Sequence, residues 1–420
     1  MTKILSRIST AVFAGVMISA CGQGQIPSQI ADAQTQEMTG QQLFSDVTDQ
    51  EAQSVDSAQA MDPSEVALKK RYVKVNLDMI KRAAAQVAVG STQKVFVKMP
   101  INLFKDESVT VLLDEAQKIS NDNVVFTGKI AGDMDSAVSM SLNKDVLIAN
   151  IRKSTETSAY EVRYAGNGMH TVTLKQDEDE GDCMAEDGQH DGGDQTATAM
   201  DMEDGALPSG DTAQATNYIS MLIAYTPGAR ASAGGTSAMV AAIQTAVADT
   251  NRAMQDSGVN IRVTLAGTLE LSRNESGNYS RDLNYARTKG DGRWDELHSK
   301  RAAVKADQVT VIANMTGVTG AAGLGYVNAN YANAFTLVKR TVLGQYTVSH
   351  ELGHNIGLNH SDGYVSSAGR FRTIIAYGSY PRIRRYSNPN IPYNGYKTGD
   401  SYHNEAKILL ARGYILAGFY

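Results

Sequence analysis

Three histidines and a glutamate fall within the eleven residues His350–His360, HELGHNIGLNH, and no other part of this 420-residue chain restricts its fold as sharply. His350 and His354 are four apart, so a helix here projects both imidazoles from one face, one turn above the other, where they can share a metal ion. Glu351 points about 60° away from His354 around a helix of roughly 3.6 residues per turn, which brings its carboxylate to the open side of that ion. Val348, Leu352 and Ile356 recur every four residues on the side away from the histidines and form a core stripe. Gly357 then offers the positive φ that ends a helix and turns the chain back, so that His360 becomes the third ligand. The plain alternative, polar residues on a solvated helix, leaves unexplained why three of the chain's seven histidines cluster here.

The pattern HExxHxxGxxH is the signature of the metzincin metalloproteases, and this segment resembles it at every specified position. Around it lie YTPGAR (Tyr225 to Arg230), the pair Gly234 and Gly235, a helix pattern reaching Asn251, RTIIAY (Arg372 to Tyr377) and YSNP (Tyr386 to Pro389). With these, the region from Asn217 to the C-terminus resembles the bacterial peptidyl-Asp metalloendopeptidases, close to the reprolysin-like metzincins. The resemblance implies an α+β catalytic domain with an α/β-like sandwich: a mixed twisted sheet, a zinc-binding active-site helix and a C-terminal helix. It also implies one catalytic zinc on His350, His354 and His360, with a fourth position for a water whose pKa falls to about 7. Glu351 is then the general base that takes that water's proton and passes it to the leaving amine. Tyr377 would ligate zinc or hydrogen-bond the developing oxyanion, or else be a packed turn aromatic. A structural calcium is left open.

Two departures from that family stand out. The methionine of the turn beneath the zinc is Ile375 here; isoleucine is apolar and similar in volume, so the packing is expected to survive and activity to be tuned rather than abolished. Residues 217–420 contain no cysteine, whereas the reprolysin-like relatives usually carry disulfides, so the core alone must hold this domain.

Length and charge organise the rest. A chain of this size is expected to hold two folded units plus linkers. Residues 216–420 carry 21 Lys and Arg against 13 Asp and Glu, leaving 18 against 32 for residues 1–215. The halves are electrostatically complementary, as a prodomain and its enzyme are expected to be. No nucleic-acid-binding motif accompanies the basic half, so nucleic acid is not expected as a partner. Residues 66–175 alternate apolar and polar, as at Val109, Val111 and Leu113, and read as the strands of a β-rich prodomain. In the catalytic half, Tyr218 to Tyr225, Ile261 to Leu265 and Val309 to Ala313 read as strands and Ser237 to Ser257 as a helix. Gly323 to Val327 is similar to the edge strand on which metzincins align substrate, and Ser401 to Phe419 reads as a closing helix with Leu409, Ile415 and Leu416 inward. His298 and His403 read as ordinary surface or satisfied histidines.

The N-terminus reads as an export signal over residues 1–20: Lys3 and Arg7 precede an apolar stretch too short to span a bilayer. Ala20-Cys21 resembles a lipobox, so Cys21 is expected to be lipidated and to anchor the chain to a bacterial envelope, the outer one where there is one, with later release as a secreted enzyme an option. A simple secretory signal is the alternative. Residues 21–65 read as a flexible tether. Residues 176–215 read as an acidic linker: 177–211 hold thirteen Asp and Glu and no Lys or Arg. Cys183 lies within it, and one expectation is a latency switch in which its thiolate takes zinc's open position until the linker is cut. A stray linker thiol is the other.

Arg370, Arg372, Arg382, Arg384 and Arg385 follow the third histidine, in the segment that walls the pocket beyond the scissile bond in metzincins. An arginine there, with Arg382 or Arg384 favoured, would take a substrate carboxylate, in keeping with cleavage before aspartate in the resembled family. A solvated basic loop is the alternative. The sequence thus points to a zinc endopeptidase, acting on peptides or proteins as a monomer and made as a latent proenzyme. A binding protein on an inactive protease scaffold and a zinc amidase on a non-protein substrate are the competing classes.

Overall fold

The computed structural model describes residues 36–38, 40–56, 67–177, 216–318 and 321–420. Cys21, Cys183 and the signal segment lie outside them.

The N-terminal half is built from strands whose alternation matches a sheet with one buried face. In chain order come β1 (Gln36–Glu37), β2 (Phe44–Asp46), helix α1 (Asp49–Asp56), β3 (Ala67–Val75), helix α2 (Leu77–Ala83), β4 (Ser91–Phe104), β5 (Glu107–Ser120), β6 (Asn123–Ile130), β7 (Asp133–Asn143), β8 (Val146–Arg152), β9 (Ser158–Gly166) and β10 (Met169–Gln176). They form one ten-stranded sheet in the order β1-β4-β5-β6-β7-β8-β9-β10-β3-β2. The sheet curls until β2 at one end touches β4 near the other. There the Asn102 side chain accepts from Phe44 N (3.0 Å) and donates to Phe44 O (2.7 Å). Met99, Ile101, Val111, Phe126, Met140 and Ile151 fill the inside.

Part of the segment expected as a tether is therefore built into this sheet. Leu43 and Phe44 are fully buried in its core, and Thr48 and Glu51 cap one another at the start of α1. Two adjacent apolar anchors, too short a run to show periodicity, are enough to hold the segment down.

The C-terminal half has β11 (Asn217–Tyr225), α3 (Pro227–Ala233), α4 (Thr236–Asp256), β12 (Ile261–Glu270), α5 (Tyr279–Arg287), α6 (Glu296–Val304), β13 (Gln308–Ala313), β14 (Gly323–Gly325), β15 (Phe335–Lys339), α7 (Thr347–Ile356) and α8 (Glu405–Leu416). The five-stranded sheet runs β12-β11-β13-β15-β14, parallel except for β14, which pairs antiparallel with β15 at the edge. This is the mixed sheet of the expected α+β domain. On one face α4, α7 and α8 bury Met239, Ile243, Met254, Leu352 and Leu409. On the other, α5 and α6 bury Leu283, Trp294 and Leu297. The closing helix is shorter than expected, and Ile415, expected inward, is 41% exposed, because the buried stripe of α8 runs through Ala406, Leu409, Gly413 and Leu416.

The β-rich half lies against the outer face of α4. Val146 and Ile148 meet Ala238 and Ala241, small residues that let the strands approach the helix. Arg252 of α4 grips Asp114 with both terminal nitrogens (2.6 and 2.9 Å), and Arg385 reaches Asp135 (2.6 Å). Ser139 and Asn150 both donate to Asp249, and Ser141 donates to Gln244. The charge complementarity of the two halves is realised in these pairs. Among the described residues no helix is long and apolar enough to cross a membrane.

Candidate active site

Helix α7 carries His350, Glu351 and His354, and all ten of its residues are buried. It ends where expected, at Gly357 with φ 126°; a Cβ there would lie 2.7 Å from Arg412 Nε. Leu358 N then donates back to Gly353 O (2.9 Å), and the chain reverses. Asn359 and Asp362 form a capping box around the single turn His360–Asp362, which aims His360 at the other two histidines.

The three Nε2 atoms converge at 3.0–3.2 Å from one another. Their protonation follows from their partners. His350 Nδ1 lies 2.8 Å from Ile374 O and His354 Nδ1 lies 2.8 Å from Leu358 O. A carbonyl only accepts, so both Nδ1 atoms carry the hydrogen and both Nε2 atoms present lone pairs. Lone pairs facing each other repel unless a cation lies between them, so this donor set fits a metal ion, and three imidazole nitrogens suit zinc. Burial lowers all three imidazole pKa values: that of His354 to about 4, that of His360 to about 3, and that of His350 well below its ordinary value, with the Arg382 guanidinium a further cause.

A pH dependence follows. Each histidine has a folded-state pKa below the unfolded value of about 6.5, so the unfolded chain binds more protons below that pH and stability is lost as pH falls. The melting temperature of the zinc-free protein is expected to drop as pH goes from about 6.5 towards 4, and zinc to be released over the same window. Thermal melts of the chelated protein across that range check this; a melting temperature insensitive to pH there would contradict it.

Glu351 is fully buried and faces the edge strand. A Cβ at Gly323 would sit 2.4 Å from its Oε1, and one at Gly325 3.0 Å from its Oε2. The two glycines of β14 therefore make the space that its carboxylate fills. β14 is the edge strand expected from the sequence, but its fit to Glu351 was not legible there; the Gly-Leu-Gly repeat is the only trace.

Beneath the histidines, Ile375 is fully buried, and a Cβ on Gly353 would meet its Cδ1 at 3.3 Å. The isoleucine thus occupies the floor, pressed against the turn of α7 between the two histidines. Tyr386, absent from the sequence reading as a site residue, donates its hydroxyl to Ser349 O (2.8 Å) from below. Tyr377 stacks on the His360 ring, centroids 3.8 Å apart and planes 21° apart.

The arginines separate. Arg372 donates to Tyr380 O and Ala376 O and braces the turn. Arg385 is held by Asp135, and Arg384, buried, lies 3.3 Å from Asp249 and 3.4 Å from Asp256. Arg382, also buried, donates to Gln345 O and places Nη2 3.3 Å from His350 Nδ1. Arg370, Arg382 and Arg384 line one cavity with Phe371, Tyr393 and Arg152 of the β-rich half. His403 pairs with Asp400 and His298 packs on Phe335, so neither joins the cluster.

Residues 215–401 match the reprolysin-like metallopeptidase family M12B. The peptidyl-Asp metalloendopeptidase of Stenotrophomonas maltophilia strain R551-3 is 36% identical over 202 residues, 43% of this chain and 47% of that protein. The protein of that name from Xanthomonas campestris pv. campestris is 32% identical over 200 residues, 44% and 47% of the two chains. The chain thus spans about half the length of the curated relatives it matches. Among solved structures, metalloproteinase-II from Bacteroides fragilis aligns at TM-score 0.43 and 10% identity over 78% of this chain and 93% of that one, a likeness too loose to build on. The three neutral imidazoles converging beside a buried glutamate thus lie within region 215–401, which is similar to the reprolysin-like metallopeptidases of family M12B.

Proposed function

We propose that this chain is a zinc-dependent endopeptidase, made as a latent proenzyme and selective for acidic residues beyond the scissile bond. The observation that carries the reading is the convergence of three histidine Nε2 atoms, with those of His350 and His354 unprotonated, next to Glu351 and the edge strand β14. Zinc bound there supplies a Lewis acid that activates water and polarises a carbonyl. Glu351 takes the proton from the attacking water and returns it to the leaving amine, as a carboxylate positioned by packing on both sides is able to do. The edge strand β14 offers main-chain groups that hold an extended peptide across the cleft. In this reading Tyr377, which stacks on His360, donates its hydroxyl to the developing oxyanion. The test is to measure zinc in the full-length chain before and after linker cleavage and to profile its cleavage of a peptide mixture with and without chelator. Absence of bound metal, or cleavage indifferent to chelation, would overturn the reading.

For the acidic preference, support comes from the names of the relatives and from the arginine-lined cavity bordered by Arg382, whose guanidinium also approaches His350. Arg382 is the arginine assigned to this role, because it lines that cavity and places Nη2 3.3 Å from His350 Nδ1. Arg382→Gln is expected to lower kcat/KM for aspartyl peptides at least about 10-fold against their asparaginyl counterparts, the scale of one charge-assisted contact. An unchanged ratio would shift the role elsewhere.

Latency is supported by where the linker starts. Asp177 is held by Arg152, whose guanidinium lies 5.5 Å from the ring of Tyr346, the residue before α7. Cys183, six residues on, is within roughly 20 Å of extended chain from that point. Cys183→Ser is expected to make the uncut full-length chain active, read as peptide hydrolysis without linker cleavage; latency that survives the substitution would remove the cysteine from the mechanism. Export and lipidation of Cys21 belong to the same proposal and are read by mass spectrometry of the mature N-terminus.

A further inference from the structure

We propose that Glu405 tunes the metal site from behind, through the single peptide bond between Ile374 and Ile375, and is thereby a positioning residue for His350. The inference rests on the zinc-peptidase reading and goes beyond it. The carbonyl of that peptide accepts the Nδ1 hydrogen of His350 (2.8 Å), and its N–H donates to Glu405 Oε1 (3.0 Å). One amide thus joins a carboxylate to a metal-ligating imidazole.

The physical consequence has a sign. A negative charge at the N–H end polarises the amide and raises the electron density on its carbonyl oxygen. That strengthens the bond from His350 Nδ1 and makes Nε2 a better donor to a metal. Successive hydrogen bonds strengthen one another by about 10–30% each, and the fully buried setting preserves the effect. A carboxylate bonded directly to a ligand histidine is a common way of orienting the ring and raising its basicity; here a peptide unit is interposed.

Glu405 is built to be that carboxylate. It is fully buried in the first turn of α8, and its remaining partners, the Ser387 N–H and the Thr373 hydroxyl, are donors as well. Every contact therefore favours the ionised form, while burial opposes it and lifts the carboxyl to about 7. His354 is the internal comparison. Its Nδ1 bond to Leu358 O is also 2.8 Å long, and the N–H of that peptide, on Asn359, donates to a different carboxylate, Asp362 Oδ2 (2.7 Å), so a change at Glu405 acts on the His350 amide and not on this one.

The experiment uses full-length protein with ¹⁵N-labelled histidine, loaded with zinc at about pH 8, where the carboxyl is ionised. In the wild type the Nδ1–H protons of His350 and His354 are both expected as hydrogen-bonded signals, and they give the reference positions for the variants. Glu405→Gln is expected to weaken zinc binding about 10- to 100-fold in competition with a chelator, the range found for outer-shell partners. It should also move the His350 proton upfield and leave that of His354 in place. Thr398→Val is the structural comparator: its buried hydroxyl donates to Asn388 O (2.9 Å) and Ile391 O (2.6 Å), away from Glu405 and the Ile374–Ile375 peptide. It is expected to lower the melting temperature with zinc affinity unchanged. Equal weakening of zinc binding in the two variants, or an unmoved His350 proton in Glu405→Gln, would reduce Glu405 to a structural staple. A wild-type chain that binds no zinc overturns the parent reading and this one with it, a separate result.

Discussion

Glu351→Gln is expected to lower kcat by about 10²- to 10⁴-fold while zinc content stays at one ion per chain. Glutamine matches the volume of glutamate, so the packing around the fully buried side chain is kept and only the proton acceptor is removed. Zinc is expected to stay because the proposed ligands are the three histidine Nε2 atoms and Glu351 is not among them. The measurement is single-turnover hydrolysis of a quenched-fluorescence peptide, with metal content determined on the same sample. If more than a tenth of the activity remained, the general-base role would pass to another group; if zinc left with the activity, Glu351 would be holding the site together rather than moving a proton.

Gly323→Ala is the second large effect, and it tests a feature that only the folded structure reveals. The added methyl would stand 2.4 Å from Glu351 Oε1, 2.8 Å from its Cδ and 2.9 Å from Leu337 O on the paired strand. Something must shift, either the carboxylate or the edge strand, and both serve the proposed reaction. Displacing a reacting group by about 1 Å costs on the order of 10²-fold in rate, and overpacking costs a further 1–3 kcal/mol of stability. The expected result is a loss of kcat near 10²-fold with zinc retained and a lowered melting temperature. Gly325→Ala is expected to be milder, because its nearest approach to Glu351 is 3.0 Å. A Gly323→Ala enzyme with normal kcat, or a Gly325→Ala enzyme more damaged than it, would show that β14 does not set the carboxylate's position.

Much of the site could be read locally. The four-residue spacing of His350 and His354, the stop at Gly357 and the return to His360 are properties of one helix and the turn after it, and the fold realises all three. The apolar faces of α4 and of β11, β12 and β13 were equally legible, since 3.6- and 2-residue periods are written within each element. Where local pattern is weak, less is legible. Residues 40–56 have the composition of a tether, yet Leu43 and Phe44 anchor them. Glu405 at the start of α8 carries no signal, because a lone acid in a helix has no periodic signature. Helical spacing puts Ile415 inward, but the fold leaves it 41% exposed.

What the sequence by itself determined is the chemistry available: which atoms can hold a metal, which carboxylate stands beside them, and which half of the chain carries which charge. What only the tertiary structure decided is how those atoms are held. The tautomer of His350 depends on Ile374 O, twenty-four residues away, and the place of Glu351 depends on two glycines of an edge strand. The placing of Arg384 and Arg385 depends on Asp249, Asp256 and Asp135, and that of Arg372 and Arg382 on main-chain carbonyls. These are hydrogen bonds and close contacts between distant segments, set by strand register and burial, and no local repeat encodes them.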